Sequence, residues 1–348
     1  MPGGNITGMT TVILRKDAIM SKSLYLSAIL FLFISCGGSA HRDENKAEGS
    51  AEETAVSIPS FDADSAYYYV ERQVAFGPRV PNTEAHREAG LWLAGKLGSF
   101  ADTLYTQETR VRAYDGTVLN IKNIIGAFQP EKRRRVLLCA HWDSRPYADH
   151  DPDPRHHYTP IDGANDGASG VGVLLEIARL LHLEQPDVGI DIIFFDAEDY
   201  GRHRLSDLPD EDSWALGSQH WARNPHRLDY NARYGILLDM VGASGATFKR
   251  EGYSMLFAPH IVRKVWETAH NIGYGHMFPN RDGGFIIDDH YYINTIRNIP
   301  VINIIHQEED TEHGFFEEWH TTGDTMDVID RYTLRVVGET VLHVIYNE

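Results

Sequence analysis

The chain reads as an α/β protein, a single α/β/α sandwich around a mixed, mostly parallel central sheet. Three observations predict this. From residue 135 onward, short continuous apolar runs alternate with segments of helical periodicity, the pattern of strands buried on both faces and joined by helices. Several of these runs stop at a His, Asp or Glu, where open α/β sheets bind their ligands. The composition is ordinary for a globular protein, with 42% hydrophobic and 11% aromatic residues over 348 positions, enough to build a core.

The first residues are set apart from the fold. Residues 1–36 read as an export segment. Met20-Ser-Lys-Ser opens a short apolar run that ends in Ile34-Ser35-Cys36. The run is too short to span a bilayer comfortably and resembles a bacterial lipoprotein signal, with Met20 as a candidate start and Cys36 carrying the lipid. A plain secretory signal is the alternative, and both readings export the protein to the periplasm or anchor it to a membrane. Residues 37–58 are rich in Gly, Ser, Ala, Glu, Asp and Lys and read as a disordered tether. Residues 59–348 read as one folded domain without repeats or linkers.

Within that domain, Ala66, Val70 and Val74 share a face and predict a helix over 63–75, broken by Gly77-Pro78. A second helix fits 83–98. Residues 102–112 and 118–128 alternate and carry β-branched side chains, with Asp115-Gly116 as the hairpin turn. Buried strands follow at 135–140, 190–195, 234–238 and 299–305. Helices fall at 166–183, 213–223, 259–272 and 332–346.

Two cysteines leave no disulfide once Cys36 is consumed, and Cys139 sits in a buried strand as core packing. The formal net charge of -18 argues against nucleic acid and anionic lipid as partners, leaving a membrane only through the lipid on Cys36. Asp149, Asp151 and Asp153 read as a solvated loop, as do His150, His156 and His157. His306 is expected at a pocket rim and Glu308, Glu309, Asp310 and Glu312 near the entrance. His290 is expected to be structural, bonded to a neighbouring acid.

The chemistry lies where strands end. Asp166 follows Gly163-Ala164-Asn165 and opens a helix. Glu198-Asp199 follows Phe194-Phe195, and His320 lies in Glu318-Trp319-His320-Thr321. A catalytic zinc needs about three such ligands and an open position. Each residue has an ordinary alternative: Asp166 as a helix cap, Glu198-Asp199 as a solvated turn, His320 as a surface histidine. Adjacent carboxylates diverge at a strand end, so one can bind metal while the other acts as base.

The order His141-x-Asp143-Ser144, Gly163-Ala-x-Asp-Gly-Ala-Ser-Gly170, Phe194-Phe-Asp-x-Glu-Asp199, Leu238-Asp239-Met240 and Trp319-His320-Thr321 resembles the zinc aminopeptidase superfamily. Within it, the His141–Pro146 stretch, the Asp288-Asp289-His290 triplet and Trp319 look most like the animal-type (type II) glutaminyl cyclases, or glutaminyl-peptide cyclotransferases, and their bacterial relatives. The resemblance covers about residues 60–346. It implies a zinc aminopeptidase-like fold and one Zn2+ bound by Asp166, Asp199 and His320. It also implies Glu198 as general acid/base and Asp239 and Asp288 in a buried acidic network of the catalytic centre. Trp319 becomes an aromatic wall of the substrate site. Families of this type usually carry Glu at the position of Asp199. Asn303 falls where animal cyclases carry a His and is expected at the substrate. Trp214 is the candidate for a second pocket tryptophan. The implied reaction closes the N-terminal glutamine of peptides or proteins to pyroglutamate and releases ammonia. The rival is an exported di-zinc aminopeptidase using His141 and Asp239 for a second metal, with Asp166 bridging and Glu198 activating water. A non-catalytic binding module on the same scaffold is a third reading, disfavoured because the ligands and the acid/base are all present.

Overall fold

The computed structural model describes residues 8–12 (backbone only), 57–209 and 212–348. The apolar run of the export segment, Cys36 and the tether through residue 56 lie outside the described residues.

The described chain runs through β1 (Gly8–Val12), α1 (Ala63–Val74), α2 (Glu84–Phe100), β2 (Thr103–Arg112), β3 (Val118–Phe128), β4 (Arg135–His141), α3 (Ala168–Leu183), β5 (Gly189–Phe195), α4 (Leu216–Arg223), β6 (Tyr234–Asp239), α5 (Gly252–Phe257), α6 (Pro259–Asn271), α7 (Asp289–Tyr292), β7 (Val301–Ile305) and α8 (Arg331–Tyr346). The sheet order is β1-β2-β3-β5-β4-β6-β7. Strands β5, β4, β6 and β7 are mutually parallel. The β1–β2–β3 side is antiparallel, and β3 joins β5 antiparallel. The expected mixed α/β architecture is therefore present, with its parallel strands at the functional edge.

The parallel strands are buried along their whole length, which is why they read as unbroken apolar runs. Their two faces feed different cores. Leu138, Ile192, Ile236 and Ile304 pack under α1, α2, α3, α6 and α8. Leu137, Cys139, Ile193 and Leu237 pack against Trp221 of α4 and Ile293 beyond α7. Strand β4 leads through α3 to β5 on one side, whereas β6 continues to β7 on the other. The carboxyl ends of β4 and β6 therefore flank a topological switch point, where the diverging connections leave a crevice.

Two boundaries differ from expectation for a local reason. The helix expected from Asp166 begins at Ala168, because Gly167 turns at φ +94°. A side chain is strained there, and a Cβ would lie 2.7 Å from the Asp143 carbonyl oxygen. The turn leaves Asp166 out of the helix and free to face the sheet edge. The helix expected from Ser213 begins at Leu216, after Ala215 in the left-handed region at φ +54°. Helix α5 and the α7 turn, with the π-turn Ile293–Arg297 after it, are too short to carry a periodic signal.

The loop after β4 is also unlike its expectation. Asp149 is 1% and Asp151 7% exposed, so neither belongs to a solvated loop. Asp149 pairs with Arg145 and Asp151 accepts from Thr322 Oγ1 at 2.6 Å. His157 is buried and bonded to the Asp151 carbonyl, and His150 is half-buried against Trp319. A charged segment of this composition looks solvated until distant chain segments pair with it.

Candidate active site

Three strand ends and three loops deliver the expected residues to one place. His141 ends β4, Glu198 and Asp199 follow β5, and Asp239 ends β6. Asp166 precedes α3, Asp288 caps α7, and Trp319-His320 lies in the loop before α8. Asp166, Glu198, Asp199, Asp239, Asp288, Trp319 and His320 all line one cavity of about 1160 Å³. His320 Nε2 lies 3.1 Å from Asp199 Oδ1 and 3.4 Å from Asp166 Oδ2. One ligand atom from each of Asp166, Asp199 and His320 lies within 4.8 Å of the others. A second such group, His141, Asp166 and Asp239, shares Asp166 with the first.

The triad fits a metal ion. Two buried carboxylates face each other here, and Asp199 Oδ2 has no hydrogen-bond partner among the described residues. A buried acceptor of this kind is costly unless a cation or donor meets it. Asp/His donors suit zinc. Shortening the usual Glu to Asp199 does not prevent convergence, since the Asp199 carboxylate already reaches His320.

Buried acids clamp the loops that carry these groups. Asp143 Oδ1 accepts the Glu198 amide at 3.0 Å and Oδ2 the Asp199 amide at 3.1 Å. Asp324 does the same for Asn165 and Asp166, at 2.7 and 3.0 Å. Non-glycine residues with left-handed backbones at the site include Ala197 (φ +53°), Met240 (φ +49°) and His320 itself (φ +53°). Such backbones cost roughly 1–2 kcal/mol each and persist where surrounding bonds over-determine them. The turn at Ala197 directly precedes Glu198 and Asp199, both of which line the cavity.

The electrostatics divide the acids by role. Asp166 stays well below the usual carboxylate range: burial opposes this, but hydrogen bonds from His141 and His320 prevail. Glu198 is pushed well above its ordinary value by burial, with His141 opposing and Asp288, Asp199 and Asp289 adding repulsion. Burial, opposed by the His141 hydrogen bond and aided by the charges of Asp288 and Asp166, raises Asp239 to about 7. Asp288 is raised by burial, partly offset by His290 and His141. Glu198, Asp239 and Asp288 thus hold protons at a pH where free carboxylates do not.

The walls are aromatic. Trp319 stacks on His320 with centroids 3.6 Å apart, and Trp214 lies nearly parallel to the same imidazole at 6.0 Å. Both tryptophans line the cavity. Glu308, Glu309 and Glu312 stand at the same cavity as expected. Asn303 is corrected: it is fully buried, does not line the cavity, and donates from Nδ2 to Asp288 Oδ2 at 2.6 Å. Its position on buried β7 puts it behind Asp288 rather than beside a substrate. His306 likewise does not line this cavity but a separate, smaller one of about 480 Å³, where it bonds Glu308. His290 is buried against Glu251 at 2.9 Å, as expected. Asp143, Arg145 and Asp324 had no assigned role from sequence. The first two lie in the quoted His141–Pro146 stretch, whereas Asp324, in a Gly-Asp turn, carries no local signal.

The chain matches the model of Peptidase family M28 over residues 123–345. It is similar to a Bacteroides thetaiotaomicron glutaminyl cyclase bound to N-acetylhistamine, at 55% identity and TM-score 0.83, covering 84% of this chain and 100% of that one. A Zn-dependent exopeptidase from Parabacteroides distasonis is as similar, at 56% identity and TM-score 0.83 over 84% and 100% of the two chains. Bovine glutaminyl-peptide cyclotransferase is 28% identical over 62% of this chain, which spans 63% of the bovine length. With the family model covering most of the folded domain and the sheet-edge Asp/His cluster in place, the chain belongs to Peptidase family M28.

Proposed function

We propose that the protein is a zinc-dependent glutaminyl-peptide cyclotransferase that closes N-terminal glutamine to pyroglutamate and releases ammonia. The observation that carries this reading is the pairing of a three-ligand Asp166–Asp199–His320 group with a proton-holding Glu198–Asp239–Asp288 cluster in one aromatic-walled cavity. The likeness to cyclases at 55% identity supports it.

The substrate supplies both partners of the reaction. Its α-amine attacks its own side-chain amide carbon, so a carbon–nitrogen bond forms in the ring as the bond to the amide nitrogen breaks. No activated water is needed. Asp166, Asp199 and His320 would hold the zinc, which would supply Lewis-acid polarisation of the amide carbonyl. Glu198 takes the proton from the attacking amine and returns one to the departing ammonia, a task that suits a carboxylate whose proton affinity burial has raised. Burial raises Glu198, and the charge of Asp288, itself fixed by Asn303, adds to the rise. Trp214 and Trp319 restrict the substrate to orientations in which amine and amide can meet.

The specific observation favouring a second reading, an aminopeptidase, is the additional His141–Asp166–Asp239 group, able to hold a second metal. The test is an ammonia-release assay on Gln-initiated dipeptides, with chelator and zinc add-back, alongside zinc counting. One zinc per chain with ammonia release supports the cyclase. Two zincs with a free N-terminal amino acid as product replace it with the peptidase. We further propose that the enzyme is exported and lipid-anchored through Cys36, on the strength of the apolar run and cysteine at 24–36. Loss of membrane association in a Cys36→Ala variant is the expected result, and an unchanged distribution overturns the anchor.

A further inference from the structure

We infer that Arg145 is a positioning residue that ties the metal group and the aromatic wall into one unit, setting zinc affinity and substrate orientation together. The inference rests on the cyclase reading for its substrate and on geometry alone for its metal.

Arg145 is 1% exposed and spends every guanidinium N–H. Nε and Nη2 grip Asp149 at 2.8 and 2.7 Å. Nη1 donates to the carbonyls of Asp199 at 3.1 Å and Gly201 at 3.4 Å, and Nη2 also to Arg202 at 3.2 Å. One planar group therefore fixes the backbone of a metal ligand and the loop that follows it. Two further contacts extend its reach. The guanidinium carbon lies 4.7 Å from the centre of the Trp214 ring, a cation–π arrangement. Asp149, held by Arg145, places Oδ1 3.7 Å from His320 Nδ1, too long for a hydrogen bond but close enough to orient a buried imidazole by charge.

These contacts cannot move independently. If the guanidinium tilts, the Asp199 carbonyl, the Trp214 ring and the Asp149 carboxylate all lose a fixed partner. A lysine keeps the charge but not the planar fork or the stacking face, so Arg145→Lys separates positioning from net charge. Groups that orient metal ligands from behind are typically worth about 10–100-fold in metal affinity.

The test uses the full chain carrying Arg145→Lys, with folding checked by circular dichroism and thermal melting. Zinc affinity is read by competition with a chromophoric chelator, and kcat and KM by ammonia release from a Gln-dipeptide. The expected result is zinc affinity weakened about tenfold, KM raised, and a KM effect that shrinks in a Trp214→Ala background because the two changes break one contact. A folded variant with lower melting temperature but unchanged zinc affinity and unchanged KM overturns the inference and leaves Arg145 a structural residue. If Arg145→Lys does not fold, Trp214→Ala alone decides. Weakened zinc binding, through loss of the stacking face, supports the coupling, and unchanged zinc binding overturns it. A wild-type chain that releases no ammonia sinks only the cyclase reading, since the zinc competition reads Arg145 without turnover.

Discussion

The most demanding prediction concerns Asp143, a residue that does not line the cavity. Its two oxygens each accept one backbone N–H, from Glu198 and Asp199, and the side chain is fully buried. Asp143→Asn keeps the shape but offers one acceptor oxygen for two N–H groups, so one buried donor faces another. An unsatisfied buried donor costs about 1–3 kcal/mol, and that is the stability loss expected. Asp143→Ala orphans both amides and should cost about 2–6 kcal/mol, twice that range. The strained turn at Ala197 is then free to relax, and the carboxylates after it shift with it. A displacement on the order of 1 Å at a reacting group costs about 10²-fold in rate. The assay is urea denaturation at saturating zinc together with kcat for ammonia release. Alanine should be worse than asparagine in both. If Asp143→Ala melts at the wild-type urea concentration, or retains wild-type turnover, the amide clamp contributes nothing and the account of how this site is held is wrong.

Three further outcomes follow from the same geometry. Glu198→Gln preserves shape but cannot carry the proton, so kcat should fall about 10²–10⁴-fold with zinc content unchanged by metal analysis; retained turnover would remove Glu198 from the mechanism. Gly170→Ala would place a Cβ against the Leu238 carbonyl oxygen, so despite better helix propensity it should lower stability by about 1–3 kcal/mol in chemical denaturation. Glu251 is brought down to about 2, burial opposing but the His290 pair and the Ser254 and Ile286 bonds prevailing. Its folded value lies below the unfolded value of about 4.3, so its contribution is present above that pH and is lost as pH falls toward 2. A Glu251→Gln variant should show a flatter stability profile over that window than the wild type.

Much of this protein is legible along the chain because its physics is local. A strand buried on both faces must be apolar throughout, so β4, β5, β6 and β7 announce themselves, and the residue that ends each run falls at the sheet edge by geometry. Helix α1 carries a periodic face because its buried residues Ala63, Ala66, Tyr69, Val70 and Gln73 fall on one side. Short order rather than periodicity marked the metal group, since only its sequence of motifs set Asp166, Asp199 and His320 apart from caps and turns. What could not be read is what depends on distant partners. Asp151 looks solvated until Thr322, 171 residues along the chain, donates to it, and Asn303 looks like a pocket residue until β7 is seen to lie behind Asp288. Trp214 lies in a loop without period, and only the fold lays it beside His320. Asp143 and Asp324 accept amides that their own neighbours in sequence do not supply. The polypeptide alone thus determined the strand ends and the chemical types that arrive at them. Tertiary packing decided which acids are clamped, which keep their protons and which face the cavity, because burial and charge proximity are properties of the assembled interior rather than of any segment.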